Sequence, residues 1–146
     1  MAIHRVKYLN EPARAEWCAA EINGLLAERI NAHTVLVPVA LHHERLRERG
    51  YNQSLEICDR LARRDGARVL DALVRVRRTR SQVGLDSVNR FRNVEDAFAT
   101  RVPLEGLSVV LIDDVVTTGS TLVACAIACR RAGARDVHAM TVATGL

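Results

Sequence analysis

The segment "LSVVLIDDVVTTGST", residues 107–121, constrains the fold more than any other. Its first six residues form an apolar run, which predicts a strand covered on both faces and therefore central in a parallel sheet. Ser120 or Thr121 then starts a helix carrying Leu122, Val123, Ala126 and Ile127. Arginines fill the last turn of that helix, and Gly133 is its C-cap. "VHAMTV" (137–142) reads as the returning strand. Strand, loop, helix and strand make a βαβ unit, so the expected class is α/β, a parallel twisted sheet flanked by helices.

The rest of the chain is read against that unit. Asn10 and Glu11 before Pro12 predict a helix start, with Trp17, Ile22, Leu25, Leu26 and Ile30 at helical spacing and an end near Asn31. "TVLVPV" (34–39) predicts a short buried strand, and the polar, basic "ALHHERLRERGYNQ" after it a loop. Asn52 suits the cap of a helix with Leu55, Cys58, Leu61 and Ala62, stopped by Gly66. A further strand is expected within Val69 to Val76. Residues 77–96, "RRTRSQVGLDSVNRFRNVED", have few apolar residues and no period, which predicts a long mobile loop or ribbon.

No repeat or linker interrupts the 146 residues, so one domain spanning 1–146 is expected. No apolar stretch nears the roughly 18 residues a membrane span requires. "MAIHRVKYLN" lacks the apolar core of a secretory signal, so the expected location is cytoplasmic, without membrane insertion. Cys18, Cys58, Cys125 and Cys129 form no C-x-x-C pair and are expected as reduced core residues. The net charge is +4, and of the 21 basic residues only Lys7 is a lysine. Arginine's planar fork suits phosphate and carboxylate, although an arginine-favouring genome would produce the same bias. His42 and His43 lack metal-site spacing, and the few scattered aromatic residues offer no stacking platform for nucleic acid.

In open α/β sheets, ligands lie beyond the carboxyl ends of the strands, and Asp113 and Asp114 are expected to stand at such an end. "TTGST" (117–121) combines backbone N–H groups, four hydroxyls and a helix N-terminus, a combination suited to a phosphate dianion. It has neither the lysine nor the second glycine of a Walker A loop, so the cradle is sized for one monophosphate. Carboxylates accept hydrogen bonds, and a vicinal diol donates two. A ribose with a phosphate on its terminal carbon meets both demands. A Walker B strand is the sharpest rival reading, but nothing upstream supplies its Walker A partner.

This string resembles the phosphoribosyl diphosphate (PRPP) motif of type I phosphoribosyltransferases. "VPVALHHERLRERGYNQSLEICDRLA" (37–62) and "LVRVRRTRSQVGLDSVNRFRNVEDAF" (73–98) are similar to two further blocks of the ComF/GntX family, extending the resemblance over residues 5–143. It implies that Asp113 and Asp114 hold the ribose hydroxyls and, with PRPP, Mg²⁺, while Val116, Thr117, Thr118, Gly119, Ser120 and Thr121 hold the phosphate. It further implies a diphosphate loop with Arg45, Arg49, Asn52 and Gln53, and a flap over residues 77–96 with Arg77, Thr79, Gln82, Arg90 and Asn93. Two departures stand out. No cysteine-rich zinc ribbon precedes Ile3, and Ala40 replaces the second proline of the family's P-V-P.

By the same resemblance, the activity would be displacement of diphosphate by a nitrogen acceptor at the anomeric carbon. The acceptor would be read by a hood made from residues 1–34, where Tyr8 and Trp17 do not specify a base. No glutaminase domain is expected within these residues, so the resemblance would describe the PRPP-binding half only. Two other readings stay open. One is a non-catalytic accessory protein of DNA uptake, with a competence-system protein or single-stranded DNA as partner; the other is a PRPP-sensing regulator. A second copy of the chain is also counted among the expected partners.

Overall fold

The computed structural model describes residues 11–27, 29–41, 43–76 and 96–144. The elements run α1 (Glu11–Leu26), β1 (Thr34–Pro38), α2 (His43–Arg49), α3 (Gln53–Asp65), β2 (Arg68–Val69) and β3 (Leu73–Arg75). They continue with β4 (Phe98–Thr100), β5 (Ser108–Val116), α4 (Ser120–Arg131) and β6 (Asp136–Thr144). Four strands form one parallel sheet in the order β2-β1-β5-β6. β3 and β4 pair separately as an antiparallel ribbon, with Leu73 opposite Thr100 and Arg75 opposite Phe98. The expected parallel α/β sheet with a central "VVLI" strand is what forms.

Alternation along β5 divides the core in two, because successive side chains of a strand point to opposite faces. Val109 and Leu111 join Val35 and Val37 of β1 on one face, under Ala124, Cys125, Ala128 and Cys129 of α4 and Leu73 and Phe98 of the ribbon. Val110 and Ile112 join Leu36 on the other face, under α1 and α3. All four cysteines are buried and free, as expected for core residues.

α1 ends earlier than its spacing predicts, at Leu26. Beyond it, side chains capture the backbone: Asn31 N–H donates to Thr34 Oγ1 (3.0 Å) and His33 N–H to Asn31 Oδ1 (2.9 Å), local bonds that compete with helix. The buried face of α1 is Ala15, Cys18, Ala19, Ile22 and Leu26, and Leu25, expected on the stripe, is 69% exposed. Small residues let this helix lie close to α3.

The stretch after β1 is not all loop. His43–Arg49 is a helix with Glu44 in its first turn and Arg47 and Arg49 in its last, matching the helix dipole, and none of its residues is buried. Glu, Leu and Arg are strong helix formers, so propensity made this helix where apolar periodicity was silent. Gly50, at φ 82°, ends it. The strand expected within 69–76 divides in two, because Ala72 N–H bonds back to Leu70 O (2.8 Å) and turns the chain out of the main sheet. β4 was not foreseen.

α3 follows its prediction closely. Asn52 caps it by accepting from Ser54 N–H, and Gly66, left-handed at φ 67°, closes it with its N–H on Ala62 O. Gly133 serves a different need. With φ 93°, it lies so close to the chain that an added Cβ would fall 2.8 Å from Glu105 Cγ and 3.2 Å from Glu105 Cα.

Candidate functional site

From the centre of the sheet the chain goes outward from β1 to β2, then crosses back to place β5 on the other side of β1. Connections leaving β1 and β5 therefore diverge, and a crevice opens at their carboxyl ends, the place where open α/β sheets bind ligands. Val39 N–H donates to Ile112 O (3.0 Å) and so ties the chain just past the end of β1 to the middle of β5. The crevice brings together the segment after β1 and the Asp113–Asp114 pair.

The strand predicted over 107–112 is longer than its apolar run and includes both aspartates. β5 runs on to Val116, with Asp113 opposite Thr141 and Val116 opposite Thr144. Valines 115 and 116 and the equally extended β6 sustain the ladder, so only residues 117–119 separate it from α4. Asp113 and Asp114 are both half-buried.

Asp113 is held from two sides. Its Oδ1 accepts from Ser54 Oγ in the first turn of α3 (3.1 Å) and from the N–H of Asp114 (2.9 Å). Burial, and next the adjacent Asp114 carboxylate, push its pKa up to about 6, and the two hydrogen bonds only partly oppose that rise. A carboxylate under such pressure gains from a ligand that brings positive charge or hydrogen-bond donors. Behind it, burial pushes the Cys125 thiol of α4 far up, with smaller contributions from Cys129 and Asp113.

The turn into α4 is tight. Gly119 takes φ 77°, a conformation that glycine adopts freely and other residues rarely do. The hydroxyls of Thr118 and Ser120 are 2.9 Å apart, and Ser120 N–H points to Thr118 Oγ1 at 3.4 Å. Thr117 and Thr118 are exposed, while Val116, Gly119, Ser120 and Thr121 are half-buried. Hydroxyls and the leading N–H groups of a twelve-residue helix thus meet at the end of β5.

The four residues expected in the diphosphate loop separate into two groups. Asn52 and Gln53 stand at the start of α3: Asn52 Nδ2 donates to Val39 O (3.0 Å), and the Gln53 amide is 3% exposed with no hydrogen-bond partner among the described residues. Arg45 and Arg49 are exposed on α2 instead. Arg45 lies near Arg75 of β3, whose guanidinium sits 5.4 Å from the centre of the Phe98 ring. Burial, and secondarily the charge of Arg45, hold the Arg75 pKa below the usual arginine range. Arg77, Thr79, Gln82, Arg90 and Asn93 lie outside the described residues, as do His42 and Tyr8.

Sequence reasoning missed Ser54 and Arg75. Ser54 was discoverable: a capped helix following a strand points its first turn at the strand's carboxyl end. Arg75 had no such signal, since a three-residue strand in a separate ribbon has no readable period.

Among the described residues no helix is long and apolar enough to cross a membrane. No family model matches the chain. It is 36% identical to DNA utilization protein YhgH of Salmonella typhi over 94% of its own length and 63% of that protein's. It is 35% identical to YhgH of Escherichia coli K12 over 93% and 63% of the two lengths, and 35% identical to competence protein F of Haemophilus influenzae over 70% and 47%. The chain thus spans less than two thirds of these relatives. Among solved structures, the allosteric regulatory enzyme of purine biosynthesis, a phosphoribosyltransferase, superposes with a TM-score of 0.52 and 22% identity, covering 87% of this chain and 25% of that one. The chain is therefore a homologue of the YhgH and competence F proteins, carried on a phosphoribosyltransferase-type fold.

Proposed function

We propose that the crevice at the carboxyl ends of β1 and β5 binds PRPP together with Mg²⁺ and presents its anomeric carbon to a nitrogen acceptor. The observation that carries this reading is the Asp113–Asp114 pair, fixed from α3 and followed within three residues by a hydroxyl-rich turn at a helix N-terminus. Asp113 and Asp114 accept from the ribose diol, and residues 117–121 take the terminal phosphate. Two carboxylates fit Mg²⁺, a hard ion that commonly takes one or two carboxylates and completes its shell with phosphate oxygens and water. Bound there, the ion would offset charge building on the departing diphosphate. The chain's own part is positioning, with Asn52, Gln53, Arg45 and Arg49 on the diphosphate side. The acceptor and a cytoplasmic setting belong to the same reading.

Titration of PRPP into the protein by calorimetry, with and without Mg²⁺, tests it. Stoichiometric, Mg²⁺-dependent binding is expected. No heat at millimolar ligand would overturn it.

The names of the relatives favour a second reading, in which the domain serves DNA use or uptake beside other proteins, with PRPP or a phosphorylated sugar as a bound signal. An arginine-rich chain of net charge +4 admits contact with single-stranded DNA, which would weaken steeply with salt. A gel shift that retains no DNA even at low salt would remove the DNA contact.

A further inference from the structure

Four hydrogen bonds and one peptide unit form a closed circuit through three elements at the crevice. Val39 N–H donates to Ile112 O (3.0 Å), and Asn52 Nδ2 donates to Val39 O (3.0 Å). Ser54 N–H donates to Asn52 Oδ1 (3.0 Å), Ser54 Oγ donates to Asp113 Oδ1 (3.1 Å), and Asp113 follows Ile112 in the chain. The end of β1, the start of α3 and the middle of β5 are thereby held in one geometry.

Asn52 uses both ends of its amide at once, the oxygen on Ser54 and the nitrogen on Val39. Ser54 likewise uses both its N–H and its hydroxyl, and it is only 4% exposed. A buried hydroxyl with a carboxylate as its acceptor makes a charge-assisted bond, stronger and more directional than a neutral one. The circuit joins the segment expected on the diphosphate side to the carboxylate expected on the ribose side.

We infer that Ser54 is a positioning residue of the PRPP site: it orients the Asp113 carboxylate and couples it, through Asn52 and Val39, to the loop that follows β1. The inference rests on the reading of Asp113 as a ribose-binding carboxylate. It assigns a role to a residue that contacts the ligand only through another. The sequence "NQS" at 52–54 then acts as a unit, with Asn52 fixing the helix start and Ser54 carrying that position to the central strand.

The test is a double-mutant cycle with a ligand-free control. Ser54→Ala keeps its backbone N–H and the Asn52 cap, so it should still fold, with a melting temperature lowered by a few degrees through the loss of one charge-assisted bond. Its affinity for Mg²⁺–PRPP should fall about fivefold to tenfold, the latter equivalent to about 1.4 kcal/mol. In the Asp113→Ala background the same substitution should cost nothing further, because the group it positions is gone. An equal loss in both backgrounds would show that Ser54 acts elsewhere and would overturn the inference. The control is amide exchange at Asp114, whose N–H donates to Asp113 Oδ1. Without ligand, Ser54→Ala should speed that exchange severalfold by freeing the carboxylate, and an unchanged rate would equally overturn the inference. If the unmodified protein bound no PRPP, the proposed function would fall, while the exchange measurement would still decide whether Ser54 holds Asp113.

Discussion

Replacing Asp113 by asparagine should make the ligand-free protein more stable while disabling its site. Burial and the Asp114 carboxylate raise the Asp113 pKa from 3.8 to about 6. The folded state therefore binds this proton more tightly than the unfolded chain does. Consequently the ionised carboxylate costs stability at every pH above the folded value, and the cost disappears as pH falls towards 3.8. Each tenfold change in proton affinity is worth about 1.4 kcal/mol, so the cost at pH 8 is about 3 kcal/mol. Asparagine is close in shape, carries no charge and retains an oxygen to accept from Ser54 Oγ and Asp114 N–H. The raised value is already net of those two bonds, so the expected gain stays at about 3 kcal/mol. For a chain of this size that corresponds to a rise in melting temperature of roughly 6–12 °C. Thermal unfolding of both proteins at pH 8 and pH 4.5 measures it. The gain should be large at pH 8 and mostly gone at pH 4.5. A variant no more stable at pH 8, or equally more stable at both values, would refute the argument that the native carboxylate is held in an unfavourable state. Such a cost is the usual mark of a group kept for binding rather than for folding.

Two other substitutions probe the site and the scaffold separately. Asp114→Asn should weaken Mg²⁺–PRPP binding at least tenfold, about 1.4 kcal/mol, and unchanged affinity in calorimetry would remove Asp114 from the diol contact. Gly133→Ala should destabilise the fold by about 1–3 kcal/mol in denaturant titrations without altering ligand affinity, because φ 93° and the 2.8 Å approach to Glu105 Cγ leave no room for a methyl group. A midpoint within error of the unmodified protein would mean that the 104–106 segment yields freely.

The sequence alone was sufficient for the centre of this protein. An apolar run such as Val109–Ile112 has few alternatives to a central parallel strand, and Asn52 and Gly66 bound α3 because capping chemistry is local. The hydroxyl-rich turn after β5 and the paired aspartates were legible for the same reason: their chemistry lies within a dozen consecutive residues. Tertiary structure decided whatever depends on distant partners. β5 extends through both aspartates because β6 pairs with it out to Thr144. Leu25 is exposed because it lies off the Ala15, Cys18, Ala19, Ile22 and Leu26 face that packs into the core with α3. Arg75 approaches Arg45, and Ser54 meets Asp113 across 59 positions of sequence, only because the crossover from β2 to β5 returns the chain to the far side of β1. Periodicity and capping report the nearest few residues, whereas a binding crevice is made where segments far apart in the chain converge.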